Sequence, residues 1–151
     1  LLPYGNFEDA SNTSPTLFYN DANQHVAKMV ETRIANTNSP WLSGVKVGDI
    51  HAIPVSHGEG KFVVTAGEFA ELRDNGQIFS QYVDFDGKPS MDSKYNPNGS
   101  VHAIEGITSK NGQIIGKMAH SERYEDGLFQ NIPGNKDQQL FASAVKYFTG
   151  K

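Results

Sequence analysis

The dipeptide Asn111-Gly112 lies between two apolar runs, Val101 to Thr108 and Gln113 to Ala119, and constrains the fold more than any other feature of the chain. Asn and Gly both tolerate the positive φ of a type I′ turn, whose twist matches that of paired strands, so the runs are predicted to form a hairpin. Other segments extend a sheet. Lys28 to Ala35 is rich in β-branched residues, and Leu17-Phe18-Tyr19 is a shorter strand candidate. Asp49 to Ser56 runs into the glycine turn His57-Gly58-Glu59-Gly60, after which Lys61 to Val64 continues in β. Gln77 to Asp84 reads as a further strand, followed by the turn cluster Asn96-Pro97-Asn98-Gly99-Ser100.

Helical signals punctuate this pattern. Ser39-Pro40-Trp41-Leu42 predicts one turn, capped by Ser39 and stopped by Gly44. Thr65 with Glu68 forms a capping box for a helix that Asn75-Gly76 ends, and Asn135 with Gln138 suggests a second box. The last helix is predicted from about Lys136 to Tyr147, docked through Leu140, Phe141, Ala144, Val145 and Phe148. The polar, Pro-containing region 6–16 reads as loop. Strands flanked by helices predict a layered α/β domain with a mixed sheet. With no repeat, low-complexity tract or charge block, residues 1–151 read as one unit.

Composition narrows the function. Seventeen acidic against thirteen basic residues leave a net charge of −4, which disfavours nucleic acid or an anionic membrane as partner. No apolar run approaches the ~20 residues of a spanning helix. The absence of cysteine excludes a disulfide scaffold, a thiolate zinc site and a cysteine nucleophile within these residues. The start, Leu1-Leu2-Pro3-Tyr4-Gly5, is neither an initiator Met nor a signal peptide, so an upstream segment is expected.

Two His-x-Glu pairs carry the available chemistry, His57-Gly58-Glu59 and His120-Ser121-Glu122. On extended backbone, residues two apart point to one side, so each imidazole could meet its carboxylate. Such a carboxylate fixes the tautomer and raises the basicity of the other ring nitrogen. His120 and Glu122 follow a strand in which Ile114, Gly116 and Met118 alternate toward them, at the end where open α/β sheets bind ligands. The plain alternative is a surface or structural pair, since His-x-Glu arises often by chance. The histidines 25, 51, 57, 102 and 120 could also cluster around a metal, but no metal-ligand spacing beyond His-x-Glu supports one. Gly58 and Gly60 could turn backbone N–H groups toward a small ligand, or simply form a tight turn. Neither the Gly-x-Gly-x-x-Gly spacing nor a Walker lysine accompanies them, so a nucleotide phosphate site is not indicated.

Four segments together are more specific. Ala52-Ile53-Pro54-Val55-Ser56-His57-Gly58-Glu59-Gly60-Lys61-Phe62, Gln81-Tyr82-Val83-Asp84, Asn96-Pro97-Asn98-Gly99-Ser100 and Met118-Ala119-His120-Ser121-Glu122-Arg123 occur in this order. They resemble, in sequence and order, the class I glutamine amidotransferase domain of phosphoribosylformylglycinamidine synthases. The resemblance runs from Leu1 to about Phe148, and the ending from Asn135 looks most like the single-chain form of that enzyme. It implies the C-terminal portion of a three-layer, flavodoxin-like domain. It also implies a cytoplasmic purine-biosynthesis enzyme that hydrolyses glutamine and passes ammonia to a synthetase domain. There ATP and formylglycinamide ribonucleotide yield the amidine, with magnesium bound at the synthetase; no cofactor or metal is expected in these 151 residues. By position, His120 resembles the histidine of the family's Cys-His-Glu triad and Glu122 the carboxylate that orients it. Ser56, His57, Gly58 and Glu59 resemble the segment that faces bound glutamine.

The chain also departs from the family. The nucleophile elbow that carries the triad cysteine is absent, so these residues alone are expected to be inactive. Ala119 and Ser121 stand where family members commonly have proline on either side of the histidine. Two other readings remain open on the residues: a non-catalytic amidotransferase-like binding module, and a metal-dependent hydrolase built on the histidines.

Overall fold

A computed structural model describes residues 15–150. The loop expected over 6–16 lies almost wholly outside those residues. The main sheet contains β2 (Val26–Ile34), β3 (Ile50–His57), β5 (Ile78–Tyr82), β6 (Ile104–Thr108) and β7 (Ile115–Lys117), in the order β3-β2-β5-β6-β7. The short strands β1 (Thr16–Phe18) and β4 (Lys61–Val63) pair separately. Every named strand pair is antiparallel. The mixed character expected of the sheet is confined to one isolated parallel bridge, His51 with Asn135.

The hairpin between β6 and β7 forms as expected, with a different turn. Only Gly112, at φ 70°, enters the left-handed region, whereas Asn111 does not. The Asn111 side chain accepts from Gln113 N at 3.2 Å and from Ser109 Oγ at 2.7 Å, which favours an Asx turn over type I′. Gly112 N closes onto Ser109 O at 2.9 Å. A Cβ at Gly112 would lie 2.5 Å from Asn38 O, so both φ and space require glycine there.

The helices show where capping signals compete. Ser39 caps the 3-10 turn Pro40–Leu42, and its hydroxyl also donates to Gly112 O at 2.6 Å, tying the turn to the hairpin. Thr65 and Glu68 make the complete box that starts α1 (Ala66–Asp74). The second box does not form. Gln138 is buried, its amide oxygen accepting from Ser121 Oγ at 2.5 Å and its nitrogen donating to Thr32 Oγ1 at 3.4 Å. Helix α2 (Leu140–Thr149) therefore begins later, after Gln139 at φ 51°. It docks by Leu140, Ser143 and Ala144, with Ser143 Oγ accepting from Gly44 N at 3.0 Å. Phe141, Val145 and Phe148, expected on the docked face, are exposed. The apolar stripe is wider than its contact, and only one border reaches the core. Phe141 and Phe148 still meet Trp41 edge-to-face, each at 6.4 Å between ring centroids.

Buried apolar residues form three groups. Val30, Ile53, Val55, Tyr82, Ala103 and Ala119 fill the interior nearest the candidate site. Phe62, Leu72, Ile78, Ile104 and Ile107 pack beneath α1, and Ile34, Leu42, Phe79 and Leu140 lie beneath α2. The edges of the sheet approach each other: His120 N, beyond β7, donates to Pro54 O of β3 at 2.8 Å. That curl brings His120 to β3. No helix among the described residues is long and apolar enough to cross a membrane.

Candidate functional site

His120 and Glu122 meet because the chain turns after β7. His120, with φ −91° and ψ 86°, precedes the 3-10 turn Ser121–Arg123, and the turn folds the carboxylate back toward the ring. The expected contact exists, but a turn makes it, where extended backbone was expected to do so. His120 Nδ1 lies 2.6 Å from Glu122 Oε1. A carboxylate there accepts from Nδ1–H, which leaves the lone pair of the neutral ring on Nε2. Burial opposes the charge on Glu122. Its own backbone amide, the His120 bond and the charges of His120 and Arg123 outweigh that, holding the carboxyl below its ordinary value.

The pair borders a cleft of about 270 Å³ lined by Trp41, Ile115, Met118, Leu140 and Phe141. Ligand pockets usually fall at about 300–1,000 Å³, so this is a small one with an apolar wall and a polar rim. His120 is 28 % exposed and Glu122 54 % exposed at their side chains, so the ring is partly sheltered and the carboxylate is open to water.

The first His-x-Glu pair behaves differently. Glu59 is exposed, and among the described residues it makes no ion pair with His57. Instead His57 Nε2 lies 3.4 Å from Asn98 Nδ2. Asn98 is fully buried, donating to Tyr82 Oη at 3.0 Å and accepting from Ser100 N at 3.0 Å and Ser100 Oγ at 2.7 Å. Burial is the main cause that lowers the imidazole of His57. The charges of His120 and His25 add to it, against its own backbone and Glu105. Burial and the charge of Glu105 raise the phenol of Tyr82 well above its ordinary value, against the Asn98 hydrogen bond. Ser56 Oγ pairs with His25 Nε2 at 3.1 Å. Gly58 O accepts from Asn20 N at 2.9 Å, which ties the turn to the loop before β2.

Asn98 and Tyr82 lie in two of the four segments that carry the resemblance but have no chemical signature of their own, and Glu105 interrupts the apolar run Ile104-Glu105-Gly106-Ile107. That interruption was the available signal, because a carboxylate in a buried strand needs a partner. Glu105 is 2 % exposed, and Lys117 Nζ lies 3.2 Å from its Oε1. Among the described residues, no three His, Asp or Glu side chains converge as a metal site would require.

Comparison with known proteins connects this geometry to a family. Phosphoribosylformylglycinamidine synthase subunit PurQ of Thermomicrobium roseum is 40 % identical over 129 residues, covering 85 % of this chain and 52 % of the relative. The subunit PurQ of Gloeobacter violaceus is 34 % identical over 122 residues, covering 81 % of this chain and 50 % of the relative. The chain thus spans about half the length of these curated relatives. Both are named as separate subunits, whereas the ending from Asn135 resembled the single-chain form. Among solved structures, PurLQS from Thermotoga maritima shares the fold at a TM-score of 0.65 and 23 % identity, covering 89 % of this chain and 53 % of its own. The α/β expectation therefore holds. The family model of the CobB/CobQ-like glutamine amidotransferase domain matches residues 1–148, and the chain belongs to that family.

Proposed function

We propose that this chain supplies the histidine and carboxylate of a glutaminase site, in the glutamine amidotransferase part of phosphoribosylformylglycinamidine synthase. The observation that carries this reading is the 2.6 Å contact between His120 Nδ1 and Glu122 Oε1, beside a cleft. The similarity to PurQ subunits supports the substrate. Because residues 1–151 hold no cysteine, the nucleophilic thiol comes from outside them, and this chain by itself does not hydrolyse glutamine.

In this reading His120 Nε2 takes the proton of that thiol, and the sulfur attacks the carboxamide carbon of glutamine. The protonated ring then gives its proton to the departing nitrogen, releasing ammonia and leaving a glutamyl thioester. Water, deprotonated by the same Nε2, cleaves the thioester to glutamate and restores the thiol. Glu122 keeps Nδ1 protonated throughout and favours the imidazolium between transfers. Ser56, His57, Gly58 and Glu59 bind glutamine at the end of β3, next to the Pro54 carbonyl that holds the His120 backbone. Ammonia passes to the synthetase partner, which would bind ATP, magnesium and formylglycinamide ribonucleotide and supply the chemistry that forms the amidine. Residues 1–151 constitute one unit of the amidotransferase domain.

Glutamate release from glutamine by the complete amidotransferase with its synthetase tests the proposal. His120→Ala is expected to lower kcat at least ~10²-fold, the usual contribution of a general acid–base group. Undiminished activity in a folded variant removes His120 from the chemistry. An inactive parent protein would favour the binding-module reading.

A further inference from the structure

We propose that Glu105 and Lys117 form a positioning pair for His120, holding the backbone before that residue and the Ser121 side chain after it; the inference rests on the glutaminase reading. Glu105 Oε1 accepts from Met118 N at 3.2 Å and from Ala119 N at 2.8 Å, and Glu105 O also accepts from Met118 N at 3.1 Å. Lys117 Nζ donates to Ala119 O at 2.6 Å and to Ser121 Oγ at 2.9 Å. The peptide groups before His120 and the side chain after it are thus held by one ion pair. The Glu105 side chain is wholly buried and that of Lys117 is 10 % exposed, so water competes little for these bonds.

Stability alone explains this arrangement poorly. Desolvating two charges offsets most of their attraction, and a well-packed apolar pair often stabilises a fold as much or more. What charges add here is direction, through donors and acceptors aimed at two sides of one residue. The segment has no other rigid support in its sequence, because the positions flanking His120 are Ala119 and Ser121 and neither fixes φ as proline would. Neither Glu105 nor Lys117 touches the His120 ring through a hydrogen bond, so both act through the backbone and Ser121.

The test uses the complete amidotransferase carrying Glu105→Gln, Lys117→Met or both, assayed for glutamate release. The Nδ1–H resonance of His120 is followed by NMR in the same proteins. Glutamine at position 105 can keep an acceptor for the two N–H groups while removing the charge. Each single variant is expected to lose about 10- to 100-fold in kcat, the scale on which small misplacements act. KM for glutamine should stay within about twofold, and the double variant should lose no more than the worse single one. The His120 resonance should broaden or disappear. Folded variants with unchanged kcat and an unchanged resonance overturn the proposal. Should Glu105→Gln not fold, Lys117→Met carries the same comparison, because it leaves the bonds from Met118 and Ala119 to Glu105 in place. A parent protein that releases no glutamate overturns the proposed function instead, while the resonance still decides whether the pair holds the ring.

Discussion

His57-Gly58-Glu59 and His120-Ser121-Glu122 share one spacing and two chemically equivalent ends, yet they build opposite environments. Around His120 a 3-10 turn folds the carboxylate onto the ring and leaves the pair at the rim of a cleft. Around His57 two glycines carry Glu59 away into solvent, and the ring meets the buried amide of Asn98. A sequence interval fixes how many bonds separate two groups; the backbone between them decides whether they meet.

The sharpest way to break this comparison is to remove each carboxylate's charge in turn. Glu122→Gln presents an amide to Nδ1 and favours the wrong tautomer, so glutamine hydrolysis by the complete enzyme should fall by at least about tenfold. Glu59→Gln should raise KM for glutamine, which Glu59 helps to bind, while kcat stays within about twofold because no contact to His57 is lost. Equal losses in the two variants would dissolve the distinction between the pairs.

Asn98→Ala examines the other environment. It strands the Tyr82 hydroxyl in the interior, whereas Ser100 Oγ keeps its bonds to Gly60 O and from Phe62 N, and a buried polar group left without its partner costs about 1–3 kcal/mol. Urea unfolding should show that loss. A stability unchanged within error would mean that water or rearranged side chains replace the amide.

The smallest expected effect is in pH dependence. His57 and His51 both have imidazoles lowered from 6.5, chiefly by burial, so the folded chain prefers them neutral. The unfolded chain then takes up protons first as pH falls. Their contribution is fully present above about 6.5 and is lost as pH drops from there toward the lowered folded values. Glu122 has a lowered carboxyl, so its contribution persists above 4.5 and fades as pH falls through the folded value. His57→Gln should flatten the fall in Tm between about pH 7 and pH 5, while Glu59→Gln should leave it. Parallel Tm curves for the two variants would show that burial of His57 has no energetic consequence.

Much of the fold was legible because its signals were local. Thr65 and Glu68 cap α1 with no competing partner, and Ser39-Pro40 opens its turn as read. Asn135 and Gln138 carry the same kind of signal but fail, because Ser121 and Thr32 engage the Gln138 amide from distant elements. The docked face of α2 is narrower than its apolar spacing for a related reason. Helical spacing identifies apolar residues but not how far the neighbouring surface extends, so Phe141, Val145 and Phe148 remain outside. The same limit applies to the site. His120 and Glu122 announce themselves as a pair, whereas Glu105 and Asn98 matter only through residues many positions away.

Pro54 shows how the curl of the sheet affects the behaviour of the chain in a crowd. An outer strand with free N–H and C=O groups is a template for foreign strands, and proteins blunt such edges. On the outward side of β3, Ala52 N already donates to Asn135 O at 2.7 Å. Two residues on, Pro54 has no donor to offer, and its carbonyl is taken by His120 N. An incoming strand would find these two positions occupied or mute, so the bond that seats His120 also blunts the middle of the β3 edge against intermolecular pairing.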